Sequence, residues 1–227
     1  MQRTIFLIGD STVENNKAPF RGWGYCLNRY TAEGAKVDNQ ALSGRSTRSF
    51  LNEGLFEPVK ERIGEGDLLL IQFGHNDEKD AEDLHTDPNG SFLDFLNLYC
   101  DTALEHGALP VLVTPVSRRF FVGGGFLLYT HGEYPAAMKR LAEKRQLPLI
   151  DLEAKTRELY LQLGEEKTAE LFVRLRPGEH PDFSDGHDDK THYNEYGANL
   201  VAGLVWKEML KDSRLKGYVR EDVPEVS

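Results

Sequence analysis

The stretch Thr4-Ile5-Phe6-Leu7-Ile8-Gly9-Asp10-Ser11-Thr12, near the amino terminus, decides how the rest of the chain is read. Thr4 to Ile8 is an unbroken run of β-branched and large apolar side chains, the pattern of a strand buried on both faces. Gly9-Asp10 ends it. The Ser11 hydroxyl then falls just past the strand's carboxyl end, the edge at which ligands bind in open α/β sheets. A simpler role is also open to this turn, because Asp, Ser and Thr are all good helix N-caps. What the remaining chain brings to the same edge discriminates between the two.

Four more strand-like runs follow, over 36–39, 68–73, 110–114 and 147–151, of which Leu68-Leu69-Leu70-Ile71-Gln72-Phe73 is the most apolar. Helical spacing predicts helices over 23–31, 50–63 (with a kink or restart at Pro58), 92–106, 134–145, 152–163 and 194–210. The polar or Gly-rich stretches 15–22, 80–90, 117–132 and 174–190 read as loops. Short apolar strands alternating with helices predict parallel βαβ units. The expected fold is therefore a three-layer α/β/α sandwich around a five-stranded parallel sheet of flavodoxin-like order 2-1-3-4-5. No internal repeat or linker divides it, so one domain over 1–227 is expected, with 211–227 as a loosely packed tail.

The 227 residues carry 37 acidic and 27 basic side chains, a formal net charge of −10, which argues against a nucleic-acid partner. No stretch approaches the roughly 18 to 20 apolar residues of a membrane span, and Ile5 to Ile8 is too short for a signal peptide. A cytoplasmic protein without a membrane partner is expected. Cys26 and Cys100 fall in helical segments without metal-ligand spacing and read as buried free thiols. No Gly-x-Gly-x-x-Gly follows the first strand, which argues against a dinucleotide; no cofactor is expected.

In the order 2-1-3-4-5, the carboxyl ends of three neighbouring strands carry Ser11, Gly44 and Asn76. Attack of a serine hydroxyl on an ester carbonyl creates an oxyanion, which needs hydrogen-bond donors placed in advance. The backbone N–H groups of Ser11 and Gly44 and the side-chain amide of Asn76 would supply three. The serine also needs a base. His192, three residues after Asp189, suits: on a tight turn the carboxylate would hold one ring nitrogen while the other faces Ser11. Each piece has a plainer reading, with Gly44 and Asn76 as turn residues and 189–192 as a solvated loop.

Gly9-Asp10-Ser11-Thr12, Gly44, Gly74-His75-Asn76-Asp77 and Asp189-Lys190-Thr191-His192 together resemble the four blocks of the SGNH (GDSL-like) hydrolases, over about residues 5–210. Ser11-Thr12, Gly22-Trp23-Gly24, Asn39, Ser43-Gly44-Arg45-Ser46 and Asp188 to His192 look most like rhamnogalacturonan acetylesterases. The resemblance implies Ser11 as nucleophile, His192 as base, Asp189 as its orienter, and Ser11, Gly44 and Asn76 as oxyanion hole. It implies an acetylated pectin-derived oligosaccharide as substrate. The missing signal peptide departs from secreted members and suggests action on imported oligosaccharides.

For sugar binding, Trp23, Phe120, Phe121 and Tyr193 offer aromatic faces, and Arg45, Arg48, Arg118 and Arg119 suit a uronate carboxylate. Arg45 stands out because it follows Gly44, and His75 is expected to shape its turn or touch substrate. The cluster His180, Asp182, Asp185, His187, Asp188, Asp189 and His192 admits a metal, but its spacing matches no helix-borne ligand pair, and none is expected. The competing readings are another ester (xylo-oligosaccharide acetate, lysophospholipid or thioester) and a non-catalytic carbohydrate-binding module of the same fold.

Overall fold

The apolar run after the amino terminus forms strand β1, Arg3–Gly9, with Ile5 and Leu7 packed toward one face of the sheet and Phe6 and Ile8 toward the other. The structure is a computed structural model that describes residues 3–222. β1 pairs in parallel with β2, Ala35–Asn39, on one side and with β3, Leu68–Gln72, on the other. β4, Leu109–Val113, adds to β3. A short antiparallel hairpin, β5 (Phe121–Val122) and β6 (Phe126–Leu127), precedes β7, Leu149–Ile150, which closes the sheet against β4. The order β2-β1-β3-β4-β7 is the expected 2-1-3-4-5 once the hairpin is set aside. Leu7 lies level with Asn39 and Gly9 with Gln72, so the chain leaves all three strands at one edge.

Helices cover both faces. On one lie α1 (Trp23–Cys26, continued by a 3₁₀ turn Leu27–Tyr30), α6 (Leu152–Ala169) and α7 (Glu195–Lys211), with Trp23, Tyr160 and Val201 against Ile5, Leu70 and Val113. On the other lie α2 (Thr47–Asn52), α3 (Glu57–Lys60), α4 (Ser91–Glu105) and α5 (Tyr134–Arg145), with Phe50, Phe92, Tyr99 and Met138 against Phe6, Leu69 and Ile71. Each such fully buried apolar side chain contributes about 1.5–3 kcal/mol, so both faces hold the sheet rigid beneath its carboxyl edge. Cys26 and Cys100 are buried free thiols within these layers. Among the described residues no helix is long and apolar enough to cross a membrane.

The restart expected at Pro58 divides the 50–63 region into α2 and α3, because Pro58 sits in a first turn, where its missing N–H costs nothing. Three expectations need correction. The helix over 152–163 runs on to Ala169 across a kink at Gly164. The loop 174–190 is strand at both ends: β8, Phe172–Leu175, pairs antiparallel with β9, His187–Tyr193. The polar sequence of β9 hid it, since a two-stranded ribbon half open to water shows little apolar alternation. The tail is packed as far as Arg220: Leu215, Tyr218 and Val219 are buried, and Trp206 Nε1 donates to the Arg220 carbonyl at 2.7 Å. Residues 223–227 of that expected tail lie outside the described residues.

Candidate active site

Ser11 stands on a turn whose neighbours are tied down. The buried Asp10 carboxylate accepts from Thr12 N at 2.9 Å and Thr12 Oγ1 at 2.8 Å. Gln72, at the end of β3, donates to Thr12 Oγ1 at 2.6 Å and accepts from Trp23 Nε1 at 2.8 Å. Val13 and Glu14 N–H groups return to the Asp10 carbonyl, forming a single turn rather than a helix for Ser11 to cap. The serine hydroxyl, part-exposed, is the group of this turn left facing the cavity.

His192 reaches it from β9, with Nε2 2.9 Å from Ser11 Oγ. The Asp189 carboxylate organises that strand end by accepting four hydrogen bonds. Oδ1 takes the backbone N–H groups of Thr191 at 2.7 Å and His192 at 2.8 Å; Oδ2 faces His192 Nδ1 at 2.9 Å and His187 Nε2 at 3.0 Å. Burial works to raise the Asp189 pKa, but the bonds from the His192 ring and backbone and from His187 outweigh it. The carboxyl is held well below the usual range and is ionised at neutral pH. The Asp-x-x-His spacing thus acts within a strand, not the tight loop expected. His187, which its spacing offered only as a metal ligand, shares the orienting oxygen.

Gly44 and Asn76 line the same cavity of about 400 Å³ as Ser11 and His192. Gly44 adopts φ +78°, in the left-handed region that favours glycine. Asn76 Nδ2 donates to the Arg45 carbonyl at 3.0 Å; an amide has two N–H groups, so one anchors the Gly44 loop and a second remains for a ligand. Asp77 locks the two loops together. Its Oδ1 accepts from Thr47 N (3.0 Å), Thr47 Oγ1 (2.5 Å) and Thr86 Oγ1 (3.0 Å), joining the turn after β3 to the start of α2. Burial dominates these bonds and pushes its pKa up to about 6.

Several expected ligand contacts fall elsewhere. Trp23 and Tyr193 are each 0 % exposed and present no face to a sugar; the Tyr193 hydroxyl is bonded to that of Tyr160. His75 is buried behind the turn, 3.3 Å from Asp10 and stacked edge-on to His131, and burial lowers its pKa to about 4, leaving it neutral. It shapes the turn and does not reach the cavity. Phe120 and Phe121 belong to the hairpin region, where Lys190 covers the Phe120 ring. Arg45 pairs with Glu53, Arg48 donates to the Glu82 carbonyl, Arg118 pairs with Glu78 and Arg119 with Asp188. The metal-suggestive cluster is divided into a His180–Asp182 pair and the His187–Asp189–His192 set, and among the described residues no three such groups are arranged to hold a metal ion. The remaining cavity walls come from Asn16, Lys17, Phe20, Ser43 and Lys79, which no periodicity marked out.

A parallel sheet with a serine, histidine and carboxylate hydrogen-bonded in line at its carboxyl edge defines a class of hydrolase. The profile of the GDSL-like lipase/acylhydrolase family matches residues 7–200, and the chain belongs to that family; it is a carboxylic ester hydrolase. A rhamnogalacturonan acetylesterase of Bacillus subtilis is 48% identical over 204 residues, covering 88% of this chain and 87% of its own. A probable rhamnogalacturonan acetylesterase of the same organism is 36% identical over 210 residues, 91% of this chain and 92% of its own. The crystal structure of the Bacillus subtilis protein YxiM matches with a TM-score of 0.79 at 29% identity, over 96% of this chain; the chain spans 58% of that longer protein.

Proposed function

We propose that this chain removes O-acetyl groups from rhamnogalacturonan-derived oligosaccharides, with Ser11, His192 and Asp189 as a catalytic triad. The observation that carries the mechanism is the hydrogen-bonded line from Ser11 Oγ through His192 to Asp189, opening into the cavity that Gly44 and Asn76 also line. The substrate rests on the relative at 48% identity.

Ser11 Oγ attacks the acetyl carbonyl as its proton passes to His192 Nε2. The tetrahedral oxyanion is received by the N–H groups of Ser11 and Gly44 and the free N–H of Asn76, each such donor lowering the barrier by about 3 kcal/mol. Collapse expels the sugar oxygen, which takes the proton from His192 and leaves acetyl on Ser11. Water, deprotonated by His192, then releases acetate. Asp189, ionised, stabilises the imidazolium in both halves. No cofactor is called for.

The cavity walls favour a short acyl group on a polar alcohol: Asn16, Lys17, Ser43 and Lys79 line it beside Phe20. The test is acetate release from acetylated rhamnogalacturonan oligosaccharides, alongside p-nitrophenyl acetate hydrolysis, by wild type and Ser11→Ala. The variant should lose both activities by several orders of magnitude. Equal activity in the two proteins would sink the nucleophile assignment, and an inert wild type would favour the binding-module reading.

A further inference from the structure

The four arginines suited to an acidic sugar are all engaged, three by carboxylates and one by a backbone carbonyl. Two lysines are not. Lys17, on the loop after the Ser11 turn, and Lys79, on the turn after β3, are both exposed, and both line the cavity that holds Ser11 and His192. Neither ammonium has a hydrogen bond or an ion pair among the described residues. No aspartate or glutamate lines that cavity. Two acids on the same loops are occupied: Glu14 holds the Ser43 backbone N–H and hydroxyl, and Glu78 holds Arg118 and His131.

This pattern runs against the rest of the molecule. The chain carries a formal charge of −10. The larger cavity beyond β9, about 970 Å³, is lined by Arg174 and Arg176 but also by Glu170, Glu179, Asp185 and Asp188, so acids outnumber its arginines. The cavity at the nucleophile combines two unpaired cations with no lining anion, whereas the cavities at Arg174, at Arg157 and at Arg220 each include acidic side chains. Unpaired positive charge in a concave site raises the local concentration of an anionic ligand.

We propose that Lys17 and Lys79 form a carboxylate-binding site beside Ser11, which selects esters whose sugar carries a carboxylate close to the acetyl group, that is, acetylated uronic acids. The site deepens the deacetylase reading and rests on it. Ammonium groups on flexible stems act as point charges, in contrast to the planar fork of arginine. They tolerate a carboxylate presented at different angles. Because both lysines are exposed, the interaction is modest and screened by salt. It distinguishes a galacturonate ester from a neutral xylose ester on the same catalytic machinery.

The experiment separates the site from the substrate reading by using p-nitrophenyl acetate as reporter. Trigalacturonate and the neutral maltotriose are compared as competitive inhibitors of its hydrolysis by wild type, Lys17→Gln, Lys79→Gln, the double Gln variant and Lys17→Arg/Lys79→Arg. Each inhibition constant is read against that protein's own uninhibited rate. Trigalacturonate should inhibit wild type and maltotriose should not. Each Gln change should weaken inhibition about two- to five-fold, the pair about tenfold, with the Arg pair retaining it and 0.5 M NaCl abolishing it. Equal inhibition of wild type and double Gln variant, or none by trigalacturonate, overturns the proposal. Acetate release from rhamnogalacturonan by wild type is scored separately. Failure there with lysine-dependent inhibition intact removes the pectin substrate and keeps the anion site.

Discussion

Replacing Asp189 by asparagine keeps the side chain's shape yet should cost about four orders of magnitude in kcat, the typical effect of fixing the wrong imidazole tautomer. The structure dictates the amide's orientation. Two backbone N–H groups point at Oδ1, from Thr191 at 2.7 Å and His192 at 2.8 Å. Turning the amide nitrogen toward them would set donor against donor, at about 1–3 kcal/mol for each group left unpaired. The amide nitrogen is therefore driven to the Oδ2 position, 2.9 Å from His192 Nδ1. There it donates to Nδ1, and the ring proton moves to Nε2, the nitrogen 2.9 Å from Ser11 Oγ. A protonated Nε2 cannot take the serine's proton. A 10⁴-fold loss corresponds to about 5.4 kcal/mol of barrier. The assay is kcat and KM for p-nitrophenyl acetate between pH 6 and 9, with circular dichroism to establish that the variant is folded. KM should change little, since Asp189 reaches substrate only through His192. If a folded Asp189→Asn protein keeps more than about a tenth of wild-type kcat, the tautomer argument is wrong.

Two stability predictions rest on loops that hold the site. Asp77 has its pKa raised by burial from 3.8 to about 6, so its carboxyl binds a proton more tightly folded than unfolded. Its stabilising effect is complete below pH 3.8 and is lost as pH rises through 6; Asp77→Asn, neutral throughout, escapes that loss. The Tm of the variant relative to wild type should climb between pH 4 and 7, by the equivalent of up to about 3 kcal/mol, and a pH-independent difference would contradict the assignment. Gly197, in the first turn of α7, has no room for a side chain: a Cβ would lie 2.0 Å from the Leu171 carbonyl oxygen. Gly197→Ala must push α7 off the segment before β8, at about 1–3 kcal/mol, or roughly 3–10 °C in Tm by thermal melting. A Tm within 1 °C of wild type would show that α7 moves freely there.

The parts of the site legible in advance were those written locally. Ser11 and Asn76 each follow an apolar run and Gly44 the short polar strand β2, so locating the strands located them, and the strand order placed them side by side. Asp189 and His192 were legible through their spacing, although their secondary structure was not, because a polar two-stranded ribbon carries no alternation to read. His187 was seen only as a possible metal ligand, since nothing in its spacing announced that it shares an oxygen with His192.

The substrate contacts were the least legible. Trp23 and Tyr193 are aromatic in any reading, and only the packing shows that they are wholly enclosed, Trp23 bracing the Ser11 turn through Gln72. The arginines were attractive for their chemistry, yet each already has a partner brought to it by the fold, such as Glu53 for Arg45 and Glu78 for Arg118. A guanidinium bound internally is not offered to a ligand, and that depends on neighbours distant in sequence. By itself, the amino-acid sequence determined the sheet, its strand order and the edge at which chemistry is placed, because buried strands and turn glycines are signals a few residues long. Tertiary structure alone decided which cations and rings face the cavity, because burial and pairing are properties of the surroundings and not of the residue.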